Sequence, residues 1–169
     1  MTHATLRPVS VDDLDTLMRW VNDPEVTGRF AHLGHVTRDE ERAYLEQIAK
    51  SETDRLYAIE DERGEMIGTA GLHEIDREAR TARFGIIIGR KDRWGNGYGS
   101  AAITALIDEA RAYGLRQVWG VTRADNDRLR HLLGRLGFRE DAYLPGRYCQ
   151  ARQCYDMVHE TRNTDEVHV

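Results

Sequence analysis

The sequence is poor in cysteine, in proline and in blocks of positive charge. Its two cysteines, Cys149 and Cys154, are too few for a disulfide scaffold, and the four residues between them do not match a redox Cys-x-x-Cys pair. We therefore expect both to be ordinary strand residues. The formal charge of −5 and the lack of basic blocks interleaved with aromatic residues exclude the electrostatic footprint of a nucleic-acid binder. A cationic substrate fits this charge better than an anionic polymer does.

Long apolar runs are also missing. No stretch approaches the roughly 18 residues that a membrane span requires, and the N-terminus lacks a charged-then-apolar signal pattern. We expect a cytoplasmic protein with no membrane partner. At 169 residues, without internal repeats or a linker, the chain fits a single domain at residues 1–160, followed by a polar tail at residues 161–169.

Hydrophobic periodicity and turn residues predict a mixed α/β chain. Ser10 caps a first amphipathic helix that should stop near Pro24, and Thr37 forms a capping box with Glu40 at the start of a second helix. Two later helices are predicted, one at residues 100–113 and one that begins at Asp125 or Asn126 and ends before Gly137. The predicted strands are residues 5–8, 56–59, 66–72, 81–88, 117–122, 139–143 and 148–159.

The most informative motif is a glycine-rich turn at residues 93–100, which reads Arg-Trp-Gly-Asn-Gly-Tyr-Gly-Ser. Between a strand and a helix, amides without neighbouring Cβ atoms can converge on an anion at the positive end of a helix dipole. The turn therefore indicates a phosphate-bearing ligand. A Walker loop is excluded because no Lys with a following Ser or Thr ends the turn, and Gly95-x-Gly97-x-Gly99 departs from the dinucleotide spacing Gly-x-Gly-x-x-Gly. A solvated turn without a ligand is the alternative.

The chain resembles the GNAT acetyltransferases over nearly its whole length. The resemblance rests on the order of elements, on this turn and on the segment 126–138, which ends Leu-Gly-Phe. The turn is similar to the family's Gln/Arg-x-x-Gly-x-Gly/Ala signature. The resemblance implies an α/β (α+β) fold with a mixed central sheet of about seven strands, flanked by four helices and splayed between the fourth and fifth strands. It also implies acetyl-CoA as the co-substrate.

The resemblance assigns cofactor roles to particular positions. The backbone at the end of the strand before the turn would face the pantetheine arm of CoA, and the turn amides would hold the pyrophosphate. Asn126 matches the family's Asn near the cofactor arm, and Arg93 either contacts a phosphate or is a solvated arginine. No metal is expected. The predicted cofactor-binding residues are Ile86, Ile87, Ile88, Arg93, Trp94, Gly95, Asn96, Gly97, Tyr98, Gly99, Ser100 and Asn126.

The sequence patterns of residues 82–88, 146–148 and 155–156 resemble those of two neighbouring branches of the family. One branch contains the Rim-type acetyltransferases, which modify ribosomal-protein N-termini, and the other contains the spermidine N-acetyltransferases. In both, the deprotonated amine attacks the thioester directly in a ternary complex, and a backbone N–H stabilises the oxyanion. Here that amide would belong to Ile86 or Ile87. The implied acceptor is a primary amine on a protein N-terminus, a polyamine or an amino sugar, and the implied assembly is a possible homodimer.

Several catalytic positions depart from the family pattern. A Glu that is common on the strand before the turn is replaced by Arg83, and an acidic residue of some relatives is replaced by Val121. The Tyr that protonates the thiolate in many relatives corresponds to Leu133. A CoA-binding module that has lost catalysis and acts as a sensor or scaffold is therefore the alternative to an enzyme.

Substitutes for the missing groups lie nearby in the sequence. Glu74 or Asp76, at a strand end, is a candidate base, and His73 offers an imidazole suited to the same role. Alternatively, they are solvated turn carboxylates and a structural histidine. Tyr148 or Cys149 is a candidate acid for the thiolate, unless Tyr148 packs or the leaving group needs no acid. The catalytic candidates are thus Glu74, His73 and Tyr148.

The acceptor side is the least determined part. The acidic residues of the second helix either attract a polyamine or form a solvated face with intrahelical pairs. Trp20, Phe30 and Trp94 either line an acceptor groove or pack in the core. The acidic residues are Asp39, Glu40, Glu41 and Glu46.

Overall fold

A seven-stranded mixed sheet with helices on both faces forms the centre of the computed structural model, which describes residues 2–28, 34–150 and 153–166. Phe30 lies outside these described residues. The strands are β1 (Thr5–Pro8), β2 (Arg55–Glu60), β3 (Met66–Asp76), β4 (Thr81–Ile88), β5 (Gln117–Arg123), β6 (Arg139–Gln150) and β7 (Gln153–Asn163). The helices are α1 (Leu14–Val21), α2 (Pro24–Thr27), α3 (Arg38–Lys50), α4 (Tyr98–Ala112) and α5 (Asp127–Arg135).

The fourth and fifth strands separate partway along their length. The sheet order is β1-β2-β3-β4-β5-β7-β6, with β4 and β5 parallel. These two strands pair only through residues 81–83 and 117–119. Just beyond, the ring of Phe84 fills the space where a Cβ on Gly120 would lie. Residues 86–88 therefore pair with β3 alone, and the predicted splay is confirmed.

Two apolar clusters fix the helices on the sheet. On one face, Ile103 and Leu106 of α4 belong to the cluster that contains Phe84. On the other face, Leu17 of α1 packs with Leu45 of α3. Burial of each such side chain stabilises the fold by roughly 1.5–3 kcal/mol. The open edge of β4 thus lies between two helical layers. Within the described ranges, no helix combines the length and apolar character needed to cross a membrane.

The predicted helix caps are confirmed, but Ser10 caps a short 3₁₀ turn (Val11–Asp13) that leads into α1, and α4 begins at Tyr98 instead of at Ser100. Ser10 and Thr37 each form a capping box, and the side chain of Asn126 accepts a hydrogen bond at the start of α5. The first long helix stops before Pro24 as predicted, but the chain begins the short helix α2 at that residue. A proline suits the first turn of a helix, and Asp23 caps this one. The described residues therefore contain five α-helices rather than four.

The C-terminal strands differ from the prediction: β6 is longer than the predicted residues 139–143, and β7 begins at Gln153 instead of at residue 148. A register shift between Leu144 and Tyr148 lets β6 continue through the expected loop. The boundary drawn at residue 161 falls inside β7, which ends at Asn163. Thr164 is fully buried, and its hydroxyl donates to the carbonyl of Leu115 over 2.7 Å. Thr164 is thus part of the folded domain, because its buried hydroxyl finds a hydrogen-bond partner there.

The prediction for the two cysteines is wrong. Cys149 and Cys154 lie directly opposite each other on β6 and β7 and form a disulfide. Their sequence spacing does not match a recognised motif, whereas the hairpin register brings them into bonding range. Hairpin register depends on strand pairing, which their spacing alone does not reveal.

Candidate active site

The glycine-rich turn leads from β4 into α4. Gly95 and Gly97 have φ angles of 81° and 88°, in the left-handed region that glycine adopts without strain. Gly97 is the N-cap of α4, and no side chain caps this helix end. The indole Nε1 of Trp94 donates to the carbonyl of Ile88 over 2.7 Å and ties the turn to the end of β4. The first amides of α4 are therefore free of a capping side chain and suited to an anion.

A cleft of about 700 Å³ opens beside this turn, where β4 and β5 separate. The turn, the end of β4, α2 and α5 provide its lining. Its volume falls in the range of cofactor sites, roughly 300–1,000 Å³. The predicted cofactor residues that line the cleft are Ile86, Ile88, Arg93, Trp94, Gly95, Gly97, Gly99, Ser100 and Asn126.

The other predicted cofactor residues do not line this cleft. Ile87 faces the opposite side of the sheet. The side chain of Asn96 donates to the carbonyl of Asp92 over 3.2 Å, within the turn. Tyr98 is buried, and its hydroxyl donates to Glu62 over 2.7 Å. The side chains of Asn96 and Tyr98 therefore brace the turn.

Arg93 lines the cleft and forms an ion pair with the buried carboxylate of Asp61. Its Nη2 lies 2.7 Å from Oδ2 of Asp61, whose side chain is fully buried. Its guanidinium also lies over the ring of Tyr98, 5.7 Å from the ring centroid. Much of its charge is therefore matched inside the protein, and the side chain serves as an anchor for the turn as well as a wall of the cleft.

Two further arginines line the cleft, and sequence reasoning missed both. Arg128 and Arg135 lie on α5, and Nη2 of Arg128 is 3.8 Å from where a Cβ on Gly95 would lie. Within the described part of the chain, neither forms an ion pair with a carboxylate. Their spacing with Leu132 places all three on one helix face, and this spacing is the signal in the sequence that could have identified them. Free guanidinium groups beside a glycine turn suit phosphate oxygens.

A second cavity, of about 300 Å³, lies on the opposite face of the sheet. Ile86 lines both cavities, so the two spaces approach each other across β4. Trp20 of α1 lines the second cavity, whereas Trp94 lines the first cleft and not the second cavity. Leu17, Trp20, Val21, Thr27, Glu41, Tyr44, Leu56, Thr69, Gly71, His73, Gly85 and Ile87 complete the lining with Ile86.

His73 brings an imidazole into the second cavity. Its side chain is 15% exposed, and Nδ1 lies 3.1 Å from Oδ1 of Asp54. Burial lowers the pKa of His73 and Arg83 acts in the same direction, while Asp54 and Glu74 raise it; the net shift is downward. The imidazole is therefore neutral at neutral pH and able to accept a proton.

Glu74 and Asp76, the carboxylate candidates, line neither cavity. Glu74 has a φ angle of 51° and a side chain that is 59% exposed, and it accepts a hydrogen bond from Arg83 Nε over 2.7 Å. Asp76 accepts from the amide of Ala79 over 2.8 Å and stabilises the turn between β3 and β4. Both therefore match the alternative that described them as solvated turn carboxylates.

The acid candidates lie on the β6–β7 hairpin, outside both cavities. Tyr148 stacks on Tyr155 with ring centroids 6.3 Å apart, which matches the packing alternative. Cys149 is bonded to Cys154 and has no thiol proton to donate. The structure thus brings His73 to the cavities but not Glu74 or Tyr148.

Glu41 alone among the acidic residues of α3 lines the second cavity. The residue is 9% exposed, and burial raises the pKa of its carboxyl group. Within the described residues it forms no hydrogen bond or ion pair. Glu40 instead closes the capping box, while Asp39 and Glu46 are exposed to solvent. A buried carboxylate that faces a cavity is a natural partner for a cationic ligand.

The positions that depart from the family pattern line neither of the two cavities. Leu133 is fully buried in the core cluster, so this position does not face the cleft. Val121 is 39% exposed on β5, and Arg83 pairs with Glu74 at the surface.

Comparison with known proteins places this geometry in context. A family model described as an acetyltransferase (GNAT) domain matches residues 3–139. The chain is 30% identical over 145 residues to an uncharacterized N-acetyltransferase, p20, of Bacillus licheniformis, covering 83% of this chain and 81% of the relative. It is 24% identical over 169 residues to the spermidine N(1)-acetyltransferase of Vibrio cholerae, covering 96% of this chain and 97% of the relative.

Among solved structures, the spermidine N-acetyltransferase from Vibrio cholerae in complex with CoA and spermine superimposes with a TM-score of 0.90. The match covers 96% of each chain at 21% sequence identity. At this identity, the likeness shows a shared fold.

Proposed function

The chain belongs to the GNAT acetyltransferase family and is an N-acetyltransferase with acetyl-CoA as co-substrate; we propose that its acceptor is a primary amine, acetylated by direct attack in a ternary complex. A protein N-terminus, a polyamine and an amino sugar are the acceptor classes to be tested. The observation that carries the proposal is the meeting of two cavities at Ile86, one beside the glycine turn and one beside His73.

The residues of the larger cleft fit CoA. Left-handed glycines at 95 and 97 bring bare backbone to the cleft at the start of α4, as a pyrophosphate requires. Arg128 and Arg135 add positive charge from α5. The apolar side chains of Leu129 and Leu132 suit the pantetheine arm. The acetyl end would then lie near Ile86, with a backbone amide of β4 at Ile86 or Ile87 to stabilise the oxyanion.

The smaller cavity supplies the chemistry on the acceptor side. His73 Nε2 would take one proton from the acceptor ammonium, and the neutral amine would attack the acetyl carbonyl. A C–N bond forms, and the tetrahedral oxyanion then collapses as the C–S bond breaks. The second amine proton leaves with the CoA thiolate, so the products are the N-acetylated amine, CoA and the protonated histidine. No covalent enzyme intermediate is needed, because positioning the two substrates supplies much of the rate.

Glu41 would recognise the acceptor. Its buried carboxylate faces the same cavity as His73, and an ammonium group would stabilise its charge. Trp20 and Leu17 provide an apolar wall for the carbon skeleton of a small amine. The net charge of −5 further favours cationic substrates. A relative of similar length is named a spermidine N(1)-acetyltransferase, which supports including polyamines among the acceptors.

The test is free-thiol release from acetyl-CoA across spermidine, amino sugars, free amino acids and short peptides with varied N-termini. Saturable release with one class would support the proposal and identify the acceptor. CoA binding in a calorimeter without transfer to any amine would instead favour the binding-module alternative, for which Arg83 and Leu133 at family catalytic positions are the supporting observation.

A further inference from the structure

The imidazole of His73 occupies a space that two glycines leave open. A Cβ on Gly71 would overlap Nε2, and a Cβ on Gly85, opposite Gly71 in β4, would lie 3.6 Å from the same nitrogen. Both glycines line the second cavity. Nε2 therefore lies on the cavity side of the ring, against the backbone of β3 and β4.

The other ring nitrogen is held by Asp54. Nδ1 of His73 lies 3.1 Å from Oδ1 of this carboxylate. An ionised carboxylate can only accept a hydrogen bond, so Nδ1 carries the proton in the neutral ring. This tautomer leaves the lone pair of Nε2 available to a proton from the cavity.

Asp54 is itself fixed by its loop. Its Oδ2 accepts from the hydroxyls of Thr53 over 2.8 Å and Ser51 over 3.1 Å. The amide of Ile75 donates to the carbonyl of Thr53 over 2.8 Å and ties this loop to β3. Burial raises the pKa of Asp54, but hydrogen bonds from Thr53, Ser51 and His73 outweigh it and leave the pKa lowered. Asp54 is therefore ionised at neutral pH, and its carboxylate is held in position to accept a hydrogen bond from the imidazole.

Charged groups approach His73 from several elements. Glu74 on the same strand favours its protonation, and Arg83 of β4 opposes it. Within the described residues, Asp54 is the charged group that forms a hydrogen bond with the ring. The remaining titratable residues that line the cavity with it are Glu41 and Tyr44.

We infer that Asp54 is a positioning residue for acetyl transfer: it holds His73 with Nε2 unprotonated toward the acceptor amine. The inference rests on the proposed function. When Nε2 takes a proton from the acceptor ammonium, the ring becomes an imidazolium whose charge the Asp54 carboxylate stabilises. The proton then passes to solvent after the acetylated product leaves, and the same tautomer is restored.

The test is the pH dependence of kcat/KM for Asp54→Asn, measured with an amine that the wild-type protein acetylates. The plateau value of kcat/KM should fall by between about 10- and 1,000-fold. The acid limb of the kcat/KM profile should move to lower pH, because the variant lacks the carboxylate that stabilises the imidazolium. The KM for acetyl-CoA should stay within about twofold of wild type. An unchanged plateau and acid limb in an active protein would overturn the inference.

Two controls separate this role from general damage. Asp76→Asn removes a strand-end carboxylate outside both cavities and should reproduce the wild-type profile. His73→Gln should abolish the acid limb, and a retained limb would overturn the inference because His73 would not be the base.

A second measurement does not depend on a variant that folds. The ¹⁵N shifts of the His73 imidazole in the wild-type protein, above its pKa, should show Nδ1 protonated and Nε2 unprotonated. The opposite tautomer would overturn the inference even in an active enzyme. If the wild-type protein transfers acetyl to no amine, the proposed function fails, and the spectrum still reports whether Asp54 orients the ring.

Discussion

The two cavities that meet at Ile86 are built in opposite ways. The larger cleft depends on backbone: consecutive residues of the 93–100 turn present bare amides at the start of α4. The smaller cavity depends on side chains such as Glu41 and His73, which come from separate elements. Backbone recognition is set by a short local motif, whereas side-chain recognition requires distant segments to pack correctly. Substitutions in the two regions should therefore separate cofactor binding from acceptor chemistry.

The largest effect should come from His73→Gln. Removing a general base should lower kcat/KM by about 10²- to 10⁴-fold. In the wild-type protein the acid limb of the pH profile should lie below about pH 6.5, since burial lowers the pKa of His73. CoA affinity in a calorimeter should be unchanged. Near-normal turnover would show that the amine loses its proton without this imidazole.

Glu41→Gln should raise the KM for the amine by about 10- to 100-fold, the equivalent of one hydrogen bond to a charged group. CoA affinity should again be unchanged. Glu46→Gln, on the exposed side of the same helix, is the matched control and should behave as wild type. Equal amine KM values for both variants would remove Glu41 from acceptor recognition.

The same Glu41 substitution should not cost stability. Burial raises the pKa of Glu41 above its value in the unfolded chain, so its contribution to stability is complete below the unfolded pKa and is lost as pH rises through the folded pKa. Above the folded pKa of Glu41 the wild-type protein carries the cost of an ionised buried carboxylate. Thermal unfolding of Glu41→Gln at pH 7 should therefore occur at the wild-type temperature or above it.

Gly97→Ala tests the backbone side of the comparison. With a φ angle of 88°, a Cβ at this position costs roughly 1–2 kcal/mol of strain and displaces the turn amides, so CoA should bind about 10-fold more weakly. Gly114→Ala introduces similar strain at a φ angle of 75°, with no atom within 4 Å, at the far end of α4. Equal loss of CoA affinity in both variants would attribute the effect to folding instead of to the cleft.

Arg128→Gln should weaken CoA binding by about 3- to 10-fold, because it removes one charge-assisted contact from a partly solvated cleft. The loss should shrink at high salt. Arg139→Gln, an arginine 67% exposed at its side chain, controls for the change in net charge. Salt-independent binding in the wild-type protein would argue against a phosphate contact.

The smallest effect should come from Glu74→Gln. This side chain is 59% exposed and pairs with Arg83 at the surface, where an ion pair contributes about 0–1 kcal/mol. Turnover and CoA affinity should stay within about twofold of wild type. A large loss of turnover would return Glu74 to the catalytic centre and reverse the preference for His73.

Local signals predicted much of the fold and of the cofactor side. The capping residues Ser10 and Thr37 started helices as predicted, because a cap depends on neighbours within one turn. The register of β6 with β7 could not be predicted in the same way, and the disulfide of Cys149 with Cys154 was missed. The helical spacing of Arg128 predicts which residues share its face of α5, but tertiary packing decides which face of α5 lines the cleft.

By itself, the sequence determined the mixed sheet, the glycine turn that opens α4 and the family resemblance, because each of these depends on short-range spacing and backbone freedom. Only the tertiary structure gave the candidate bases different environments. Adjacent in sequence, His73 and Glu74 have opposite environments: the first is 15% exposed and held by Asp54, and the second is 59% exposed and paired with Arg83. Successive strand residues point to opposite faces, and the packing of α1 and α3 decides which face becomes a cavity.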